Sequence, residues 1–144
     1  MQLEHLCDVE WRYQLLKELP ARDGRDGRVY GEGEARFSGR LSGVARWSNF
    51  PRLRDGYAHP DARGVLETAD GGLVFFTLAG LSDLTDGAGV HVMTFATDHA
   101  PSAWVNTVIA VGEGSIDPER AALSMRYYSC VVDYRPTIPA ELPS

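Results

Sequence analysis

Polar and apolar positions alternate with period two along almost the whole chain. That pattern sets one face of a β-strand on a core and the other on water. In the first such run Leu3, His5, Cys7, Val9, Trp11 and Tyr13 share one face, and Glu4, Asp8, Glu10 and Arg12 share the other with Leu6. The run stops before PARDGRDGR, whose proline, glycines and mixed charges read as a loop. Further strands are predicted over 29–37, 40–47, 61–68, 73–78, 90–97, 104–112 and 124–133. Ser38-Gly39 is too short a link for anything but an antiparallel hairpin, and Asp70-Gly71 predicts a type I′ turn. Residues 49–60 read as a long polar loop at one rim. Asp117-Pro118-Glu119 has the form of a helix N-cap followed by proline, but the spacing after it supports only about one turn.

Eight strand signals without a long helix predict an all-β fold, a single antiparallel β-barrel of about eight strands. A barrel is preferred to a sandwich because hairpin-length links dominate, and an up-and-down meander closes naturally. The barrel domain is assigned to 1–134. The segment 135–144, with three prolines in ten residues, is set apart as a proline-rich tail. A chain of 144 residues is long enough to bury roughly 70% of its unfolded surface without disulfides or metal.

Charge and cysteine usage narrow the partners. A net charge of −6 leaves no basic surplus to displace counterions from phosphate, so no nucleic acid is expected. Apolar runs are too short for a membrane span, and the N-terminus has no secretory pattern. Cys7 and Cys130 lie far apart with no CxxC spacing, and are expected as free thiols in a cytoplasmic protein. The four histidines show neither HxH nor HExxH spacing, so no metal is expected. Gly31-x-Gly33 and Gly112-x-Gly114 open no helix and read as turn and bulge glycines, so no dinucleotide cofactor is expected.

An ordered set of positions carries a family likeness: Gly33-x3-Phe37-x-Gly39-x-Leu41-x-Gly43, Arg46-Trp47, Asp55-Gly56, Asp61-x-Arg63, Glu67-Thr68-x-Asp70-Gly71 and Trp104-Val105-Asn106. This set resembles the bacterial and fungal domain-of-unknown-function family numbered three-two-three-seven, over nearly the whole chain. Gly72 departs from it, standing where an alanine is common after Asp-Gly. The resemblance implies a cavity-bearing barrel shaped like the calycin, allene oxide cyclase and dirigent barrels. It supplies no established activity.

Three constellations are candidates for chemistry. Asp61 and Arg63, two apart on a strand, point to one face about 6–7 Å apart, so the arginine would keep the carboxylate ionised for use as a base. A structural ion pair is the competing reading. Glu67 shares that face but belongs to the opposite rim. On a strand over 104–112, Trp104 and Asn106 share a face that offers an aromatic wall and an amide. The same residues also suit plain core. Arg46 and Trp47 are adjacent, so only one looks inward, and arginines of the 49–60 loop could hold a carboxylate. His91 sits among apolar residues as a wall or core histidine, with pocket base as the minority view.

These residues predict a cofactor-independent enzyme of secondary metabolism, cyclase- or isomerase-like, acting on a small apolar or partly polar molecule. Asp61, Arg63 and Asn106 are its catalytic candidates. Trp104, Arg46, Trp47 and His91 are its substrate-binding candidates. A non-catalytic ligand-binding barrel and an assembly module are the alternatives; an apolar pocket lining favours the first of these, and a lumen filled by side chains the second. The strand 104–112 is apolar on both faces, which predicts a two-fold homodimer to cover the outer one.

Overall fold

A computed structural model describes residues 1–137, so the proline-rich segment 135–144 falls mostly outside the described residues. Ten strands form one antiparallel sheet: β1 (Gln2–Leu19), β2 (Gly27–Gly39), β3 (Gly43–Asn49), β4 (Arg52–Arg54), β5 (Tyr57–His59), β6 (Asp61–Thr68), β7 (Leu73–Asp83), β8 (Ala88–Ala96), β9 (Ile109–Asp117) and β10 (Ala122–Val131). β1 pairs with both β2 and β10, so the sheet closes on itself and has no free edge around the barrel.

Ten strands make an eight-membered barrel because two members are broken by prolines. Asn49 of β3 pairs with Ala62 of β6, and beyond the break Arg52 of β4 pairs with His59 of β5. Pro51 and Pro60 occupy the two interruptions, where a missing N–H cannot continue the ladder. The expected loop over 49–60 is therefore the tip of a kinked hairpin turning at Asp55-Gly56, with β5 also paired to β7.

The interior follows the alternation with one phase change. A bulge between His5 and Cys7 lets both Leu6 and Cys7 point inward, and leaves Leu3 and His5 on the outside. Strict alternation had placed Leu3 and His5 with the core; the extra residue in the bulge reverses them. A second irregularity, between Tyr13 and Leu15, carries β1 upward as an arm against β2. Asp70-Gly71 forms a three-residue loop rather than a type I′ turn. Only Gly71 has positive φ, and its N–H donates to the Thr68 carbonyl.

The largest departure is at 104–112. Ala100–Thr107 is a 3₁₀ helix, and β9 begins only at Ile109. Pro101 at the helix start removes an N–H that a strand would need, and suits the first helical turn. Val105 and Ser102 on this helix are buried and plug the lower end of the barrel beside Leu41. The chain stays open at the other end. No helix among the described residues is long and apolar enough to cross a membrane.

Candidate functional site

Large rings fill the lumen because glycines on neighbouring strands make room for them. Trp47 pairs with Gly33 and Gly64, and Tyr127 with Gly112. A Cβ at Gly112 would overlap the Tyr127 ring, and one at Gly33 would lie 2.7 Å from Trp47 Cζ2. Gly112 and Gly114 are thus not turn or bulge glycines; they lie within the β9–β10 ladder, opposite Tyr127 and Met125. Trp11 sits at the centre, edge-on to Phe37, Trp47, Phe76 and Tyr127 at centroid distances of 5.7–6.5 Å.

A hydrogen-bonded relay crosses this core. Trp11 Nε1–H donates to Tyr127 Oη at 3.2 Å. Tyr127 Oη and His91 Nδ1 are hydrogen-bonded at 2.8 Å, and with the phenol as donor the His91 proton sits on Nε2. Burial pulls the His91 imidazole down to about 4 and pushes the Tyr127 phenol up, so both stay neutral at pH 7. His91 is a core histidine here, and its Nε2 has no partner among the described residues.

This pairing predicts an acid-sensitive fold. In the unfolded chain His91 takes a proton near pH 6.5; in the folded barrel it resists until about 4. Between those values the unfolded state binds more protons, so stability is complete above the upper value and falls as pH drops towards the lower. Guanidinium unfolding should show a loss of about 2–3 kcal/mol between about pH 7.5 and pH 4.5. His91→Gln should flatten that limb. Arg126 and then His5, both hydrogen-bonded to Asp8, hold its carboxyl down to about 2, so its contribution is lost only at still lower pH.

At the open end the lumen narrows to a cavity of about 30 Å³ lined by Trp11, Tyr13, Trp47, Asn49, Ala62, Leu78 and Leu123. Its size suits a single water rather than an organic ring. Tyr13 and Leu123, only partly buried, stand at this opening. The Tyr13 ring meets Trp47 edge-to-face at 4.8 Å. Asn49 Nδ2 donates to Tyr13 Oη at 3.3 Å, and Asn49 Oδ1 accepts the Asp61 backbone N–H at 2.9 Å. Burial raises the Tyr13 phenol, which keeps its proton. Trp47 is 6% exposed, and its indole N–H has no partner among the described residues.

The sequence candidates are not gathered in one place. Trp47 reaches the cavity, whereas Arg46 points outward, 3.6 Å from Glu34. Asp61 and Arg63 are on the exposed outer face of β6, and no ion pair joins them among the described residues. Arg63 instead meets Arg46 in a shallow outer depression of about 370 Å³ that also includes Tyr30 and Glu32. Asp61 touches the mouth only through its backbone, by way of Asn49. Asn106 is spent on structure: Oδ1 accepts the Thr97 N–H at 2.8 Å and Nδ2 donates to the Thr97 carbonyl at 3.0 Å. Trp104 lies at the plugged end under the Arg40 guanidinium, 4.7 Å from it. Helical geometry there removed the shared strand face on which Trp104 and Asn106 had been paired. Tyr13 and Asn49 were not singled out, although Tyr13 continues the Trp11 face and Asn49 follows Trp47 by two.

Comparison with known proteins supports the architecture. No family model matches the chain, and no curated protein does. Among solved structures, a β-barrel-like protein from Acinetobacter baumannii AYE is similar at 22% identity and TM-score 0.75, over 89% of this chain and 94% of that one. A protein of unknown function from Clostridium acetobutylicum is 16% identical with TM-score 0.78, over 91% and 100%. An enzyme from Penicillium herquei is 17% identical with TM-score 0.68, over 88% and 93%. The chain is a β-barrel of that shape. At these identities the likeness extends to the fold alone.

Proposed function

We propose that this barrel binds a small, flat organic molecule at its open end, between Tyr13 and Trp47. The observation that carries this reading is the buried, unpartnered Trp47 indole N–H beside a cavity whose other polar groups are the Tyr13 hydroxyl and the Asn49 amide. A buried donor left unpaired is costly, so a ligand carbonyl or ether oxygen that accepts it recovers free energy. The cavity as it stands is about 30 Å³ and holds no ring, and a filled lumen on its own favours the assembly module; the unpaired indole N–H is what favours a ligand at the mouth. Entry of a ring requires the half-buried Tyr13 and Leu123 to swing outward. Acetophenone, with one ring and one carbonyl, is a suitable probe. Trp47→Phe keeps an aromatic wall and removes the N–H, and should weaken acetophenone binding about 5–10-fold, the worth of one such hydrogen bond. Trp104→Phe, at the plugged end, should leave it unchanged. Equal affinity in Trp47→Phe and the parent would rule out the indole as the recognition group.

A catalytic version is favoured by one further observation. Asn49 occupies the Tyr13 oxygen as a donor, so the phenol proton is left free to serve an oxygen that gains charge during isomerisation or cyclisation. The Penicillium herquei neighbour is an enzyme, which is consistent with this fold hosting chemistry. Tyr13, rather than Asp61 with Arg63, is then the proton-handling group, because both of those side chains face solvent. With α-deuterated acetophenone as the probe, solvent water or hydroxide at the open mouth takes the α-deuteron while Tyr13 donates its proton to the carbonyl oxygen. Loss of that deuterium separates the versions. A catalytic Tyr13 makes that loss disappear in Tyr13→Phe while binding persists.

A further inference from the structure

The outer face of β6 to β9 is apolar where a solvated barrel wall is normally charged. Val65, Phe75, Leu81, Val90, Val92 and Ile109 are 36–58% exposed on it. Cross-strand register makes them one continuous patch: Val65 beside Phe75, Leu81 beside Val90, and Ile109 beside Thr94. Thr77 and Thr94 hydrogen-bond to each other at 2.9 Å in the midst of it. The six side chains expose on the order of 600 Å², the upper end for a monomer's largest patch and most of the roughly 800 Å² that each partner gives a standard interface.

We propose that a second copy of this chain covers this face, by a two-fold contact centred on the Ala79–Val92 pair. The charges at its margins select that arrangement. Arg63 flanks the patch on the β6 side at the level of Thr77, and Glu113 flanks it on the β9 side at the level of Val90. Ala79 and Val92 pair midway between them. Neither Arg63 nor Glu113 is ion-paired within the chain among the described residues. A two-fold axis lying in the interface and running through the midpoint, perpendicular to the Arg63–Glu113 line, brings Arg63 of each copy to Glu113 of the other. The strands of the two sheets then cross steeply, as in orthogonal sheet packing. Apolar centre and paired polar rim together are the usual anatomy of such a contact.

Sedimentation of the full chain at about 50 µM tests this, a concentration at which a dimer of micromolar dissociation constant is mostly assembled. The parent should sediment as a dimer. Val92→Lys, on an exposed position, should sediment as a monomer with unchanged far-ultraviolet dichroism, and should lose the rise of melting temperature with protein concentration that the parent shows. Arg63→Glu and Glu113→Arg should each weaken the dimer about tenfold or more at low salt, and the double exchange should restore it. A monomeric parent, a dimer untouched by Val92→Lys, or a double exchange no better than either single change would each overturn the proposal.

Discussion

Replacing Trp11 with alanine should lower stability by about 3–5 kcal/mol, the largest effect of any single side chain in the barrel. The indole is 4% exposed and touches four other aromatic rings, one from each of β2, β3, β7 and β10. Removing it leaves a void in a lumen whose remaining rings are held by the glycines opposite them and cannot collapse inward freely. It also takes away the donor to Tyr127, which loosens the link to His91. For a domain of this length the melting temperature should drop by about 10 °C or more. Trp104→Ala is the control, because that ring is only half-buried at the plugged end. A loss in Trp11→Ala no larger than in Trp104→Ala would mean that the lumen is not organised around the central indole.

Gly33→Ala should cost about 2–3 kcal/mol although it adds a single methyl group. The new Cβ would overlap the backbone carbonyl of Arg12 and press on Trp47. The first of these is main chain, so relief requires the β1–β2 ladder itself to shift beside the bulge at Tyr13. Gly56→Ala is the comparison. Nothing lies within 4 Å of its Cβ, and the cost there comes from a φ of +82°, about 1 kcal/mol. Chemical denaturation of both variants checks the order; equal losses would show that the close approach at Gly33 is not what fixes that glycine.

The barrel was legible because its outer and inner positions differ in polarity along most strands, as in β6, where Ala62 and Leu66 turn in and Asp61, Arg63 and Glu67 turn out. The sequence pattern located Asp61–Thr68 to the residue. It did not distinguish a strand from a 3₁₀ plug at Ala100–Thr107, because apolar residues there serve a buried end as well as a buried face. It also missed the bulge at His5–Cys7, where one extra residue reverses every side chain before it. Closure by kinked strands at Pro51 and Pro60 was hidden for a similar reason: proline and glycine together read as a loop.

The site was less legible than the fold. Trp47 was recognised as a candidate, but adjacency to Arg46 left open which of them faced inward, and only three-dimensional closure decides it. Asp61, Arg63 and Asn106 carry the residue types that chemistry uses, yet two face water and the third secures the loop at Thr97. Tyr13 and Asn49 meet across the mouth from β1 and β3, 36 positions apart in the chain. No local pattern announces a pair whose meaning lies in a long-range contact.

The most direct measurement of where this barrel takes a ligand is the indole N–H spectrum of the ¹⁵N-labelled protein during titration with acetophenone. The three tryptophans lie in three different settings: Trp11 bonded to Tyr127, Trp104 at the plugged end, and Trp47 unpartnered at the mouth. Binding at the open end predicts that the Trp47 resonance moves downfield and saturates, while that of Trp104 stays fixed. A Trp47 resonance that does not move at saturating probe, or a shift confined to Trp104, would contradict it.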